Sequence, residues 1–443
     1  MTQSALGRLK PMIDIAQLRQ EPDFVKAQLA RRGVSPSTMD EIIALDAEHR
    51  QRLQEAEALR AQVKELSRQV GEANKAGNKD EAEKLRLRSR ELGEQESAAS
   101  EVASQASETL RSKLLMVPNL PDARVPDGKD ETENVEISQW WVGKDEGKPF
   151  PTFEDHQKKP HWEVGQELGI LDLESGAKLA GSMFALYRGA GARLIRSLGF
   201  YALNAHLDAY EEIRPPHFAL TETMMSTGHL PKSEDDMYAM ERDGLWAIPT
   251  AEVPLTSMHR GEILPRENFP IRMTAQTSCF RRESGSAGRD TRGVLRLHEF
   301  DKVELFAYCL PEQAEEAHTD ILQRAESLLQ GLGLTYRLLE LCTGDLGSAS
   351  ARTIDLEVFS PGVDRWLEVS SVSWFRDYQA RRANVRYRTE EGTTAFVHTV
   401  NGSALAWARI WAALVETYRQ ADGTVQLPEV LAPFMGNQLT IRP

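Results

Sequence analysis

From Met39 to Met116 the chain contains no proline, and the interval is a dense mixture of Glu, Arg, Lys, Ala, Leu and Gln. Proline is the surest helix breaker, and these residue types are strong helix formers, so the stretch predicts uninterrupted helix. Ile42, Leu45, Ala56, Leu59, Val63, Leu66 and Val70 fall on one 3-4-3-4 ladder, with His49 and Arg52 at two of its steps. Ala82, Leu85, Leu92, Ala99, Ala103, Ala106 and Leu110 form a second, with Ser89 and Glu96 as polar steps. Spacing that averages 3.5 residues is the seam of a coiled coil. Gly77 and Asn78, inside Lys75–Asp80, supply a turn between the two. Helices joined by so short a turn run antiparallel, and at about 1.5 Å per residue such a hairpin is ~50 Å long.

The pattern alone suits a dimerisation or spacer coiled coil. Charge placement suits a different use. Between residues 60 and 90 the bases are Arg60, Lys64, Arg68, Lys75, Lys79, Lys84, Arg86, Arg88 and Arg90, nine in number. The acids are Glu65, Glu72, Asp80, Glu81 and Glu83, five, so the distal half carries +4 in a chain of −14. A basic arm poor in aromatic residues fits phosphate-backbone contact with a shaped nucleic acid, not base-by-base reading. The overall charge argues against a globally basic nucleic-acid or membrane-surface protein.

Three cysteines, Cys279, Cys309 and Cys342, with no C-x-x-C spacing, predict neither a disulfide framework nor a zinc knuckle, so no zinc is expected. The N-terminus lacks an apolar signal-peptide core, and the longest charge-free stretch, Gly392–Ala408, is too short and polar to span a bilayer. A cytoplasmic protein with no membrane partner is the expectation. After a Pro- and acid-rich linker the texture changes. Short β-branched runs (Ile271–Met273, Val303–Tyr308, Ile354–Phe359, Trp366–Val369) alternate with helical stretches such as Pro311–Leu332 and Ala404–Arg419. The expectation is an α+β fold: an N-terminal domain over 1–117 that carries a long antiparallel α-helical coiled-coil arm, a linker over 118–139, and a second domain over 140–443. The last is built on an antiparallel β-sheet flanked by helices.

Polar density concentrates in three places: Ile248–Thr256, Cys279–Gly293 running on to Leu297–Glu304, and Glu368–Ser371 with Asn401–Arg409. In the second, strand alternation puts Arg281 and Glu283 on one face. An arginine fork beside a carboxylate suits a nucleotide, though a surface ion pair on a hairpin fits the same residues. No G-x-x-x-x-G-K-[ST] run is present, which excludes a P-loop.

The sequence resembles the seryl-tRNA synthetases of the bacterial type, class II aminoacyl-tRNA synthetases, over essentially its whole length. The resemblance rests on Met12–Ile15, the long arm, Val117–Pro121, Lys159–Glu163, Gly189–Arg193, Thr227–Pro231, Cys342–Gly347, Phe375–Arg382 and Ala421–Leu431. Motif 1 would end near Pro215-Pro216, in the segment that implies a homodimer, with motif 2 over Phe280–Phe306 and motif 3 over Asn401–Arg409. What the resemblance implies is serine–tRNA ligase activity: L-serine and ATP give seryl-adenylate, and the seryl group passes to tRNA(Ser), and to tRNA(Sec) where one exists. It implies Arg281 and Arg409 as catalytic arginines. The implied ATP-binding set is Arg281, Arg282, Glu283, Phe300, Glu368, Val369, Ser370, Ser371 and Arg409. Thr250, Ala251, Glu252, Arg281, Glu304 and Ser403 would bind serine, and Glu368 and Ser371 would hold Mg²⁺ with the ATP. The basic arm would bind tRNA. His298 is expected to be structural rather than an acid–base group.

The chain departs from the family pattern in places. Ser371-Val-Ser-Trp374 stands where Ser-Cys-Ser-Asn is usual, and Asn401-Gly-Ser-Ala-Leu-Ala-Trp-Ala-Arg409 where two of the alanines are usually glycine. If Trp374 or Trp407 faced the pocket, bulky adenylate mimics would bind weakly, as in a divergent second copy of the enzyme serving antibiotic self-resistance or secondary metabolism. Outward packing of both rings is the other expectation. Further rivals are an amino acid:carrier protein ligase, which lacks a long arm, and a non-enzymatic RNA-binding coiled-coil protein, which would have lost Arg281, Arg409 or Glu368.

Overall fold

The computed structural model describes residues 13–285 and 292–442; the motif 2 loop 286–291 and Met12 lie outside them. The chain divides into two compact units, Met1–Val117 and Pro118–Pro443.

In the first unit two short helices, Ile15–Gln20 and Pro22–Ala30, precede α1 (Pro36–Lys75) and α2 (Lys79–Met116). Ser35 caps α1, with Pro36 at the first turn, where its missing N–H costs nothing. Gly77 takes φ +75° at the turn, and Asn78 caps α2 by accepting from the Glu81 N–H at 3.4 Å. Every position of both 3-4 ladders is buried or half-buried, whereas Leu53 and Leu87, off the ladders, are exposed. The helices are tied across the seam by Arg60 to Glu96 at 2.9 Å and near their base by Lys113 to Glu41 at 2.8 Å. The hairpin is antiparallel, and the seam is where the 3.5-residue spacing puts it.

The second unit is built on an eight-stranded sheet: β1 (Val135–Trp140), β2 (Glu211–Glu212), β3 (Ile271–Phe280), β4 (Glu299–Cys309), β5 (Tyr336–Glu340), β6 (Arg352–Ser360), β7 (Arg365–Trp374) and β8 (His398–Ala406). Their order is β1-β5-β6-β7-β8-β4-β3-β2, antiparallel throughout except for the short β2–β3 pair. Helices α3 (Ala190–Asn204), α4 (Ala314–Gly331) and α5 (Trp407–Thr417) contribute Leu194, Leu198, Ile321, Leu328, Trp411 and Leu414 to the main core. A shorter helix, Tyr378–Ala383, adds Ala380 and Ala383 to a second core cluster with Met273 and Phe306.

Two sequence expectations are corrected. Pro118–Gln139 is no free linker: the Asn119 side chain donates to the carbonyls of Ala349 and Phe375 at 2.8 and 2.7 Å, and β1 is the edge strand of the sheet. Its prolines and acids read as linker because its partners lie some two hundred residues away. The predicted helix Ala404–Arg419 starts only at Trp407, since Ala404–Ala406 complete β8 through an irregularity in which Leu405 adopts φ +77°.

Candidate active site

Alternation along β4 sends Glu304 and Lys302 to one face, between β3 and β8. Glu304 sits opposite Ser403 on β8 and Ala275 on β3, and is 1% exposed. Its carboxylate accepts from Thr250 Oγ at 3.0 Å and from Asn401 Nδ2 at 2.8 Å, and is paired with Lys302. Burial of an ion pair is favourable only with such additional hydrogen bonds. Glu252 lies beside this cluster and accepts from Gln379 Nε2 at 2.5 Å. Gln379 is itself oriented by Thr399 Oγ, which donates to its Oε1 at 2.7 Å. Burial, and then the negative charge of Glu304, push Glu252 up to about 7. His229 is held neutral, lowered to about 3 by burial and by Arg281, Lys302 and Arg382.

His229, Thr250, Glu252, Lys302, Glu304 and Asn401 line one cavity of about 710 Å³ together with Arg281, Glu283, Phe300, Glu368, Val369, Ser371, Ser403 and Arg409. The Arg281 guanidinium stands 5.2 Å from the Phe300 ring centroid, and its Nε donates to the Pro249 carbonyl at 3.4 Å. Arg281 and Glu283 do share the cavity, but not by strand alternation. β3 ends at Phe280, and Glu283 has a left-handed φ of +52°. For a residue with a side chain that conformation costs of order 1 kcal/mol or more, which the surroundings must offset. The Glu283 carboxylate pairs with Arg296, and the neighbouring Ser284 N–H and hydroxyl donate to Asp236 at 2.9 and 2.7 Å.

Arg409, in the first turn of α5, donates through Nε to the Leu295 carbonyl at 3.0 Å and through a terminal nitrogen to the Glu368 carbonyl at 2.6 Å. The Glu368 carboxylate is half exposed, 3.8 Å from Arg409. Opposite Ser371 in the sheet lies Asp355, whose Oδ1 is buried without a hydrogen-bond partner. Burial and the charge of Glu368 hold the Asp355 carboxyl well above the usual range. Two carboxyl groups and a hydroxyl, one oxygen of them orphaned, fit a hard divalent cation.

Arg282 is exposed, while Ala251 and Ser370 are buried behind the wall; none of the three lines the cavity. The Ser370 hydroxyl donates to the Ser403 carbonyl at 2.6 Å and so joins β7 to β8. His298 is held by Arg281's carbonyl at 3.0 Å and by Phe184, in a structural setting. Trp407 is fully buried in the core, and Trp374 packs between Arg124 and Arg376 with its Nε1 donating to His398 at 3.3 Å. Neither ring lines the cavity, so the outward-packing expectation holds; of the departures, Ala408 does face it. Lys302 and Asn401 were missed by sequence reasoning although both lie two residues from a predicted site residue on the same strand, which alternation could have flagged. Gln379, Arg296 and Asp355 carry no local signal.

In the arm, Arg60, Arg68, Arg86 and Arg90 are ion-paired within the hairpin. Lys64, Lys75, Lys79, Lys84 and Arg88 form no ion pair with the described residues. No helix among the described residues is long and apolar enough to cross a membrane.

A family model described as "tRNA synthetase class II core domain (G, H, P, S and T)" matches residues 238–418, and one described as "Seryl-tRNA synthetase N-terminal domain" matches 12–121. The chain is 43% identical to the serine–tRNA ligase of Petrotoga mobilis, over 96% of its own length and 99% of that protein. It is 45% identical to that of Leptospira biflexa, over 96% and 100%. Its fold is similar to that of the seryl-tRNA synthetase of Pyrococcus horikoshii complexed with ATP, with a TM-score of 0.87, 34% identity and coverage of 98% and 100%. The cytoplasmic serine–tRNA ligase of Naegleria fowleri in complex with AMP follows at 0.83 and 26%, covering 98% and 99%.

Proposed function

Because the chain belongs to the seryl-tRNA synthetase family, we propose that its cavity joins L-serine to ATP and delivers the seryl group to tRNA(Ser). It is a serine–tRNA ligase. In the first step a serine carboxylate oxygen attacks the α-phosphorus of ATP, and the bond to pyrophosphate breaks. In the second, the terminal ribose hydroxyl of the tRNA attacks the acyl carbon, and AMP leaves with the electron pair. No covalent enzyme intermediate is required; positioning and charge neutralisation carry the rate.

The observation that carries this reading is the buried Glu304 cluster in the same cavity as Arg281 and Arg409. Glu304 and Glu252 face the substrate ammonium and hydroxyl, with Thr250 and Ser403 alongside. Alanine would leave those polar groups unpaired, which a site of this kind penalises heavily. Arg281 bridges the serine carboxylate and the α-phosphate, Phe300 stacks on adenine, Glu283 accepts from its exocyclic amine, and Arg409 meets the γ-phosphate. Ala251 and Ser370 act from behind this wall, and Arg282 from its exposed side. Glu368 and Ser371 would hold Mg²⁺, which supplies charge neutralisation on the phosphates. The basic arm grips tRNA(Ser), and tRNA(Sec) where the host has one. The working form is a cytoplasmic homodimer.

Serine-dependent ATP–pyrophosphate exchange tests the reading, with alanine and threonine as competitors. Exchange that is equal with alanine would refute the assignment of the Glu304 cluster. The carrier-protein and non-enzymatic readings are disfavoured by the arm and by the retained Arg281, Arg409 and Glu368, and the second-copy reading is disfavoured with both tryptophans outside the cavity and only Ala408 of the motif 3 departures lining it.

A further inference from the structure

His161 and Glu416 are fully buried, lie outside the cavity, and are not among the residues assigned to the chemistry. The Glu416 Oε1 accepts from the His161 backbone N–H at 2.9 Å and contacts its Nδ1 at 2.8 Å. The other oxygen, Oε2, accepts from the Gly362 N–H at 3.1 Å and from the Ser360 hydroxyl. On the far side of the imidazole, Nε2 lies 3.0 Å from the Val294 N–H. An N–H can only donate, so Nε2 carries the lone pair and Nδ1 the proton that points at Glu416.

The chain directions close this into a ring. Val294 is followed by Leu295, whose carbonyl receives Arg409 Nε at 3.0 Å. Arg409 and Glu416 stand two turns apart on α5. The circuit runs from Arg409 along α5 to Glu416, across to His161, across to Val294, and back through Leu295 to Arg409. Arg296, next in the same segment, pairs with Glu283. The fit at His161 is tight. A Cβ at Gly293, where φ is +69°, would stand 2.1 Å from His161 Nε2, and one at Gly362 would stand 2.6 Å from the Glu416 carboxyl carbon. A rigid helix pinned at both ends to one loop fixes the angle at which its first-turn arginine enters the cavity.

We propose that His161 and Glu416 are positioning residues that lock the Val294–Arg296 segment to α5 and thereby aim Arg409 at the ATP triphosphate. This rests on the reading of Arg409 as a triphosphate ligand. The two ring nitrogens are separable by substitution. His161→Asn keeps a donor near the Nδ1 position, towards Glu416, and loses the acceptor for Val294. His161→Gln places an amide oxygen near the Nε2 position and restores that acceptor. Pyrophosphate exchange in the full-length enzyme is expected to give His161→Asn a KM for ATP at least tenfold above the parent, with the KM for serine within twofold. His161→Gln should recover most of the loss.

A merely structural role would lower thermal stability and apparent kcat while leaving both KM values alone, and that outcome overturns the proposal. So does equal loss in the Asn and Gln variants. Should His161→Asn fail to fold, Gly293→Ala displaces the same loop from His161 and carries the same expectation. Arg409→Ala is the reference. If it leaves the KM for ATP unchanged, the reading of Arg409 fails; if it raises that KM while the His161 variants do not, only the positioning proposal fails.

Discussion

The proposed serine pocket turns on two carboxylates whose environments differ. Glu304 is supplied with a cation and two further donors, whereas Glu252 has Gln379 and a negatively charged neighbour. Glu252 therefore titrates near 7 and is neutral below that pH, where it attracts the substrate ammonium less. The expected result is a serine KM that rises as pH falls from 8 to 6, by up to about tenfold per pH unit at the steep end. Glu252→Gln should flatten that profile, which steady-state exchange across pH reads directly. The Lys302–Glu304 pair gives a stability test. Lys302→Met leaves Glu304 as a buried charge without its cation and should cost about 3–5 kcal/mol by urea unfolding. The tryptophans separate in a third. Trp374→Asn should leave inhibition by a seryl-adenylate mimic unchanged, because the ring is outside the cavity. Trp407→Val, which empties a fully buried site, should cost about 3–5 kcal/mol without altering the pocket's inhibitor profile.

Among the elements, the helical hairpin and the strands β4 and β8 do different kinds of work. The strands fix cavity-lining side chains by alternation and by register, with Glu304 opposite Ser403. The hairpin has a continuous seam and solvent-facing cations, so its contribution is a surface. Replacing Arg60–Arg90 by a short turn is expected to leave serine-dependent pyrophosphate exchange intact and to abolish charging of tRNA(Ser). Full charging by that variant would show the arm to be dispensable. Neutralising Arg86, Arg88 and Arg90 together should weaken tRNA binding and lower the slope of log affinity against log salt, since each lost phosphate contact removes a released counterion. An unchanged slope would make the distal arm a spacer.

For the whole molecule, a chain of −14 that handles a polyanion must confine its basic surface, and the distal half of the arm carries +4 by itself. The proposed homodimer rests on exposed apolar residues. In the stretch of chain that includes Pro215-Pro216, Phe200, Leu207, Phe218 and Leu220 are all exposed. Large apolar side chains left in water near one segment favour burial against a second copy. Phe218→Asp with Leu220→Asp should shift the sedimenting species from a dimer to a single chain of 49.7 kDa. A variant that still sediments as a dimer would place the interface elsewhere.

The arm was legible without any structure because a coiled-coil seam depends on residues three and four apart, and both ladders and the Gly77–Asn78 turn follow from that local rule alone. The strand positions of Glu304 and Ser403 were legible for a related reason: alternation and motif spacing are properties of one segment. Local rules stopped where segments meet. Pro118–Gln139 reads as linker until its hydrogen bonds to residues near 349 and 375 are seen, and Glu283 reaches the cavity through a left-handed turn that no strand pattern predicts. Gln379 beside Glu252, and His161 between Glu416 and Val294, are pairings across long stretches of chain. Burial is likewise a collective property: together with the charge of Glu304 it raises Glu252 to about 7, and the packing of the unit leaves both tryptophans outside the cavity. Chemistry that one segment supplies could be read from the sequence. Chemistry that needs two segments to share a low-dielectric interior was decided only by the packing that brings them together.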